Sequence, residues 1–380
     1  MRQLRPVEQQ WLFSQKALEN TPSLDDGISL ETELKRRKIT IEYMRSLALR
    51  ANALVHGDDA ECLHLRGSLV VGSILVHRFY MRKSFKDFEE TLIAPTVLFL
   101  ASKIEEEPLK LRHIVNVTIA KFENGAKGWY PDNNPHEQPT REYRNWEKSI
   151  LATEEILLET LCFDMGIEQP WNILYNSVIG LDEIISRVAM DKEKIGHMNG
   201  NENENGNGLT NQEMLNQSTI KELGWTLLSE SLLSPIPILY PAGIIAFTTL
   251  IFLISIIDQV PLSESTICAS ELSERFDLDI KRTDDNLGVQ GVDLDMIKAC
   301  LADILKYMNQ GLIDDGLIKY VKAELNEERK EPYRYRFTIK SPPRSSEVKG
   351  ENVKNTTTAQ EGQAIGIAMT SAPDVLMGNA

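Results

Sequence analysis

From Ser231 to Ile257 the chain carries no charged side chain, and Gly243–Ile257 is apolar on nearly every face of a helix. Such a stretch has to leave water, either in a bilayer or at the centre of a packed bundle. A membrane-spanning helix needs about 20 consecutive apolar residues. Here Pro235, Pro237 and Pro241 break up the first half, and no Lys or Arg closely flanks what remains. The stretch therefore reads as a fully enclosed core helix, which demands other helices on all sides. The sequence supplies them. Helical periodicity begins near Glu31 and continues to about Gly180, with no clear β-alternation, so the fold class is all-α and the chain reads as soluble.

The helical pattern falls into two parts. Residues 1–30 mix aromatics with Pro22 and Gly27, as an extended arm would, and the N-terminus lacks the apolar core of a signal peptide. A first helical domain is expected over 31–181, with a loop at Asn124–Thr140 marked by Gly125, Gly128, Pro131, Pro135 and Pro139. The polar tract Asn199–Gly208 cannot build a core, so 182–215 reads as an inter-domain linker. A second helical domain is expected over 216–327. Residues 340–380, rich in Ser, Thr, Gly and Asn, read as a disordered tail. The two domains echo one another: TVLFLAS (Thr96–Ser102) and TLIFLIS (Thr249–Ser255) agree at four of seven positions, each after a proline placed to open its helix. Each domain would then wrap around one apolar central helix.

Charge and residue usage exclude several functions. The net charge of −15 makes non-specific attraction to nucleic-acid phosphates a poor default, although an acidic surface suits a basic protein partner. Cys62, Cys162, Cys268 and Cys300 form no C-x-x-C pair, against a zinc ribbon or disulfide framework. His56, His64, His77, His113, His136 and His197 have no metal-ligand spacing, so neither a metal nor a cofactor is expected. Gly206-x-Gly208 lacks the strand–helix context of a phosphate loop. Lys35-Arg-Arg-Lys38 reads as a solvated helix face, and Asp293-x-Asp295 as a solvated helix start. No nucleophile–base constellation is visible, so the chain does not read as an enzyme.

Two charges stand out. Thr91–Ser102 is uncharged and ends in Lys103. In the amphipathic helix Arg141–Leu161, residues Trp146, Ile150, Leu157 and Leu161 share one face, and Glu154 falls in the middle of it. A carboxylate in an apolar stripe is costly unless it is paired or hydrogen-bonded. Two readings follow. Either Lys103 ends a helix and complements its dipole while Glu154 snorkels to the surface, or the two meet as an ion pair. Periodicity by itself favours the first.

A family resemblance favours the second. Leu98–Glu106 (LFLASKIEE) resembles the central helix of the cyclin box, and His77–Arg82 (HRFYMR) the end of its second helix in the T and K cyclins. Trp11-Leu-Phe13, Thr21-Pro-Ser23 and Asp26-Gly-Ile28 are similar to the lead-in of that subgroup. So is Thr153–Leu158 followed by Leu161-Cys-Phe-Asp164. These motifs run in order from Trp11 to Trp171. Beyond them only Tyr240-Pro-Ala242 and the apolar helix after it resemble the family. The chain is identified on these motifs as a transcription cyclin of the T/K type, like a fungal elongation-kinase cyclin.

The resemblance implies two tandem five-helix cyclin boxes. It also implies that Lys103 and Glu154 pair where a cyclin-dependent protein kinase docks, with Phe163 as a nearby aromatic contact and Arg78 as an internal structural brace. By the offset of the echo, Ile256 stands in the second repeat where Lys103 stands in the first. The implied function is a non-catalytic nuclear subunit that activates a kinase acting on the RNA polymerase II tail in transcription elongation, with elongation factors and the polymerase as further partners and no membrane or direct nucleic-acid contact. Alternatives are a cyclin L-like or cyclin C-like subunit serving splicing or Mediator, and a TFIIB-like DNA-binding factor. The stretch Arg50–Leu65 is longer than the family norm, and Met44-Arg-Ser-Leu47 reads as a core face of its helix.

Overall fold

The enclosed helix is the centre of a helical bundle, and a second apolar helix is the centre of another. In a computed structural model, residues 9–57, 65–133, 136–179, 217–258, 260–284 and 288–313 are described. Leaving aside the short turns of helix at Gln15–Glu19, Pro22–Asp25, Ile236–Leu239 and Ser270–Phe276, the helices begin with α1 (Leu30–His56), α2 (Arg66–Tyr80), α3 (Glu90–Ile104), α4 (Leu111–Phe122) and α5 (Arg141–Thr160). Then follow α6 (Pro170–Ser177), α7 (Gln217–Ser231), α8 (Ala242–Asp258), α9 (Leu262–Ala269) and α10 (Leu294–Asn309). A two-residue antiparallel ladder, β1 (Lys281–Arg282) with β2 (Val289–Gln290), precedes α10 and is the only strand pairing among the described residues.

Local chemistry sets the helix ends. Ser29 accepts the Thr32 N–H at 3.3 Å and opens α1, and Thr140 does the same for Tyr143 at 3.2 Å at the start of α5. The two echo segments lie in α3 and α8. α3 packs against α1, α2, α4 and α5, while α8 packs against α6, α7, α9 and α10. Inside α8, Ile244–Leu253 is buried throughout, and Thr248 and Thr249 satisfy their hydroxyls on the carbonyls four residues back. Thr96 of α3 does likewise. Among the described residues no helix is long and apolar enough to cross a membrane.

Three local expectations need correction. Pro241 does stand at the start of α8, but α3 begins at Glu90, so Pro95 lies inside its helix instead of opening it. Lys35–Lys38 is no solvated face: Arg37 is completely enclosed with Glu33 as an ion pair, and it also donates to the carbonyls of His77 (3.1 Å) and Tyr80 (2.9 Å). An arginine at that depth is tolerable because nearly every donor finds an acceptor. Asp293 is buried, not solvated, and accepts the Asp279 N–H at 2.8 Å; Asp295 is exposed.

The arm spans both bundles. Trp11 is buried against the first, the Phe13 N–H donates to the Ile238 carbonyl at 2.7 Å, and Gln15 donates to Asp303 of α10 at 2.6 Å. Further links are Arg45 to Glu230 and His77 Nε2 to the Leu232 carbonyl (3.1 Å). Arg66 pairs with Glu222 at 2.6 Å and lies over the rings of both Trp171 and Trp225. Helix α6 packs on α7 and α8; a Cβ at Gly224 would already stand 3.3 Å from Leu174. The expected linker 182–215, the tail 340–380 and part of Arg50–Leu65 lie outside the described residues. Met44 and Leu47 are fully buried, as a core face requires.

Candidate docking face

Lys103 sits in the last turn of α3, where a cation complements the C-terminal dipole. From there its Nζ lies 2.5 Å from Glu154 Oε1 on α5 and 3.9 Å from the centroid of the Phe99 ring. The two readings of these charges are thus reconciled: one lysine both ends its helix and meets the glutamate. Glu154 is held among Ile150, Leu157 and Leu161, all fully buried, and its side chain is 12% exposed against 41% for Lys103. The pair is therefore graded from buried carboxylate to half-exposed ammonium. A fully exposed pair contributes little. Here Glu154 depends on the lysine, because without it the carboxylate would keep its burial and lose its counter-charge.

Leu151 and Leu158 lie on the same side of α5 as Glu154, three residues before it and four after. Leu151 is exposed, and Leu158 is partly buried. Leu151 is a residue that the sequence reading missed. Its exposure becomes visible only once the outward face of α5 is known.

Phe163, 67% exposed, stands just past the C-terminus of that helix. The Phe163 N–H donates to the Leu158 carbonyl and the Cys162 N–H to the Glu159 carbonyl, both at 3.0 Å, which is the Schellman pattern of helix termination. Glycine usually occupies the left-handed position of that motif. In this chain Cys162 and Phe163 are both left-handed, each at φ 55°, at a cost of about 1–2 kcal/mol per residue.

Arg78 lies elsewhere, beneath the arm. It is 9% exposed, and its guanidinium is 5.1 Å from the Trp11 ring centroid. Burial pulls it down to about 10, with Asp164 acting in the opposite sense. With Trp11, Glu168 and Tyr240 it lines a cavity of about 50 Å³.

The Lys103–Glu154 pair thus joins the central and fifth helices of an enclosed five-helix bundle. Residues 10–166 match the family described as Cyclin, N-terminal domain. Its sequence relatives include proteins named as cyclins. Cyclin pch1 of Schizosaccharomyces pombe is 33% identical over 47% of this chain and 48% of its own length. Mouse Cyclin-T2 is 30% identical over 44% of this chain and 20% of its own. Human Cyclin-K is 24% identical over 79% of this chain and 41% of its own length, so that match runs past the N-terminal domain. The chain thus spans half or less of these relatives. A chain of the yeast TFIIK (Kin28/Ccl1/Tfb3) complex aligns over 78% of this one and 96% of its own, at 16% identity and a TM-score of 0.42.

Proposed function

We propose that this chain is the non-catalytic regulatory subunit of a cyclin-dependent protein kinase, and that Lys103, Glu154 and Phe163 form the surface on which the kinase docks. The observation that carries the reading is the Lys103–Glu154 pair, a half-exposed lysine over a buried carboxylate beside the exposed Leu151 and Phe163. Such a face offers a partner backbone both a donor and an acceptor, flanked by apolar contacts.

The chain supplies no chemistry to the reaction. Phosphoryl transfer in protein kinases needs the αC glutamate against the β3 lysine and the metal-bound phosphates in place. A cyclin that binds the kinase conformation with αC turned inward better than the outward one shifts the population to the competent state. The shift equals the difference in affinity for the two states. Arg78 braces the bundle from within and does not face the kinase.

On the kinship with the T and K cyclins, the kinase acts in the nucleus on the RNA polymerase II tail in transcription elongation. Co-expressing the full chain with a panel of cyclin-dependent kinases tests this, with phosphorylation of a synthetic heptad-repeat peptide as the readout. One kinase is expected to co-purify with the chain and to gain activity from it. A splicing or Mediator kinase in that place would favour the cyclin L-like or cyclin C-like reading. Absence of any bound kinase, with tight binding to duplex DNA at physiological salt, would favour the TFIIB-like one. The net charge of −15 argues against that outcome.

A further inference from the structure

The turn that carries Phe163 is strained at two consecutive residues, and the strain is held from both sides. Before it, Arg82 Nη1 donates to the Thr160 carbonyl at 3.3 Å and to Cys162 Sγ at 3.0 Å. After it, the Asp164 carboxylate accepts from Trp11 Nε1 at 2.7 Å and from Gln10 Nε2 at 3.3 Å. The two clamps are joined, because the Arg82 guanidinium lies over the same Trp11 ring, 4.3 Å from its centroid. Left-handed non-glycine residues persist only where their surroundings over-determine them, and such places concentrate at functional sites.

We infer that Arg82 is a positioning residue for Phe163: through Thr160, Cys162 and Trp11 it holds the turn that presents the phenyl ring at the end of the docking face. The inference rests on the proposed docking role for what Phe163 does, but not for how it is held. Asp26 with Lys86 and Thr21 with Glu33 fix the arm elsewhere and reach neither Cys162 nor Phe163. Arg82 is itself exposed, so the rival account is direct contact between Arg82 and the kinase. The two accounts differ in what Arg82 does when Phe163 is gone.

The first arm of the test uses the free full-length chain and amide hydrogen exchange. The N–H groups of Cys162, Phe163 and Asp164 are each hydrogen-bonded within the turn and report on it directly. In Arg82→Gln these three amides are expected to exchange about tenfold faster, the scale of losing one such hydrogen bond, while α3 and α5 stay protected. Adding Cys162→Gly is expected to recover most of the protection, since glycine takes a left-handed φ without a Cβ penalty. Unchanged exchange in Arg82→Gln, or loss of protection throughout α5, overturns the inference.

The second arm measures the dissociation constant of the kinase selected by co-expression. Arg82→Gln is expected to weaken binding about fivefold in the wild-type background and to have no effect in Phe163→Ala. Equal losses in both backgrounds assign Arg82 to the kinase contact instead and overturn the positioning role. If exchange responds as stated and no kinase binds, the clamp stands and the docking reading falls.

Discussion

Arg37 and Glu33 form an enclosed ion pair, and at 0% exposure for both side chains neither can recruit water if the other is lost. Burial holds the Arg37 guanidinium below its ordinary range even with Glu33 beside it. Arg37→Ala is therefore expected to cost about 3–5 kcal/mol, read as a lower urea midpoint, because it strands the Glu33 carboxylate. Arg37→Leu with Glu33→Leu is expected to cost less than the sum of the two single changes.

His77, equally enclosed, is pushed down to about 3 by burial and by Arg37. The unfolded chain then takes up the proton first. As pH falls below about 6.5, His77 shifts the balance towards unfolding by up to ~1.4 kcal/mol per pH unit, a loss complete near pH 3. His77→Gln keeps a donor for the Leu232 carbonyl and should flatten the acid limb of the stability profile; an unchanged slope would contradict this role.

Neither site was legible beforehand. A basic run reads as solvated, and its third residue is buried only because α1 turns that side toward the carbonyls that end α2. Glu154 was legible as an anomaly in an apolar stripe, but its partner lay on another helix and emerged through resemblance.

At the scale of elements, the echo locates the central helices, and the composition break leaves the domain boundary open. TVLFLAS and TLIFLIS do mark the two central helices, α3 and α8, and the uncharged stretch after Ser231 is the enclosed core it had to be. The polar tract, by contrast, reads equally as a linker or as an insertion inside a domain. Helix α6 precedes that tract yet packs on α7 and α8. We propose that the second repeat begins at Pro170, which gives it five helices like the first and puts the tract between its first two. Its eight residues were too few for periodicity to separate them from the preceding bundle. Trp171 touches Trp225 at 5.3 Å between ring centroids and lies under Arg66. Trp171→Ala should cost about 3–5 kcal/mol, with faster amide exchange in α7 and α8 before α3 and α5; the reverse order would return α6 to the first repeat.

Across the whole molecule, the arm and the inter-bundle ion pairs bind the repeats together, while the Lys103–Glu154 pair belongs to the first repeat. At the echo's offset α8 carries the half-buried Ile256, so the repeats share a scaffold and differ in this chemistry. The central claim is that this pair binds a kinase. The direct test is the affinity of the co-purifying kinase for Lys103→Ala and for Glu154→Ala, with activation assayed at equal subunit concentrations and folding checked by thermal melting. A docked kinase desolvates the pair, so removing either partner is expected to weaken binding about a hundredfold or more and to abolish activation at concentrations that saturate the wild type. Wild-type affinity and full activation by either folded variant would contradict the account.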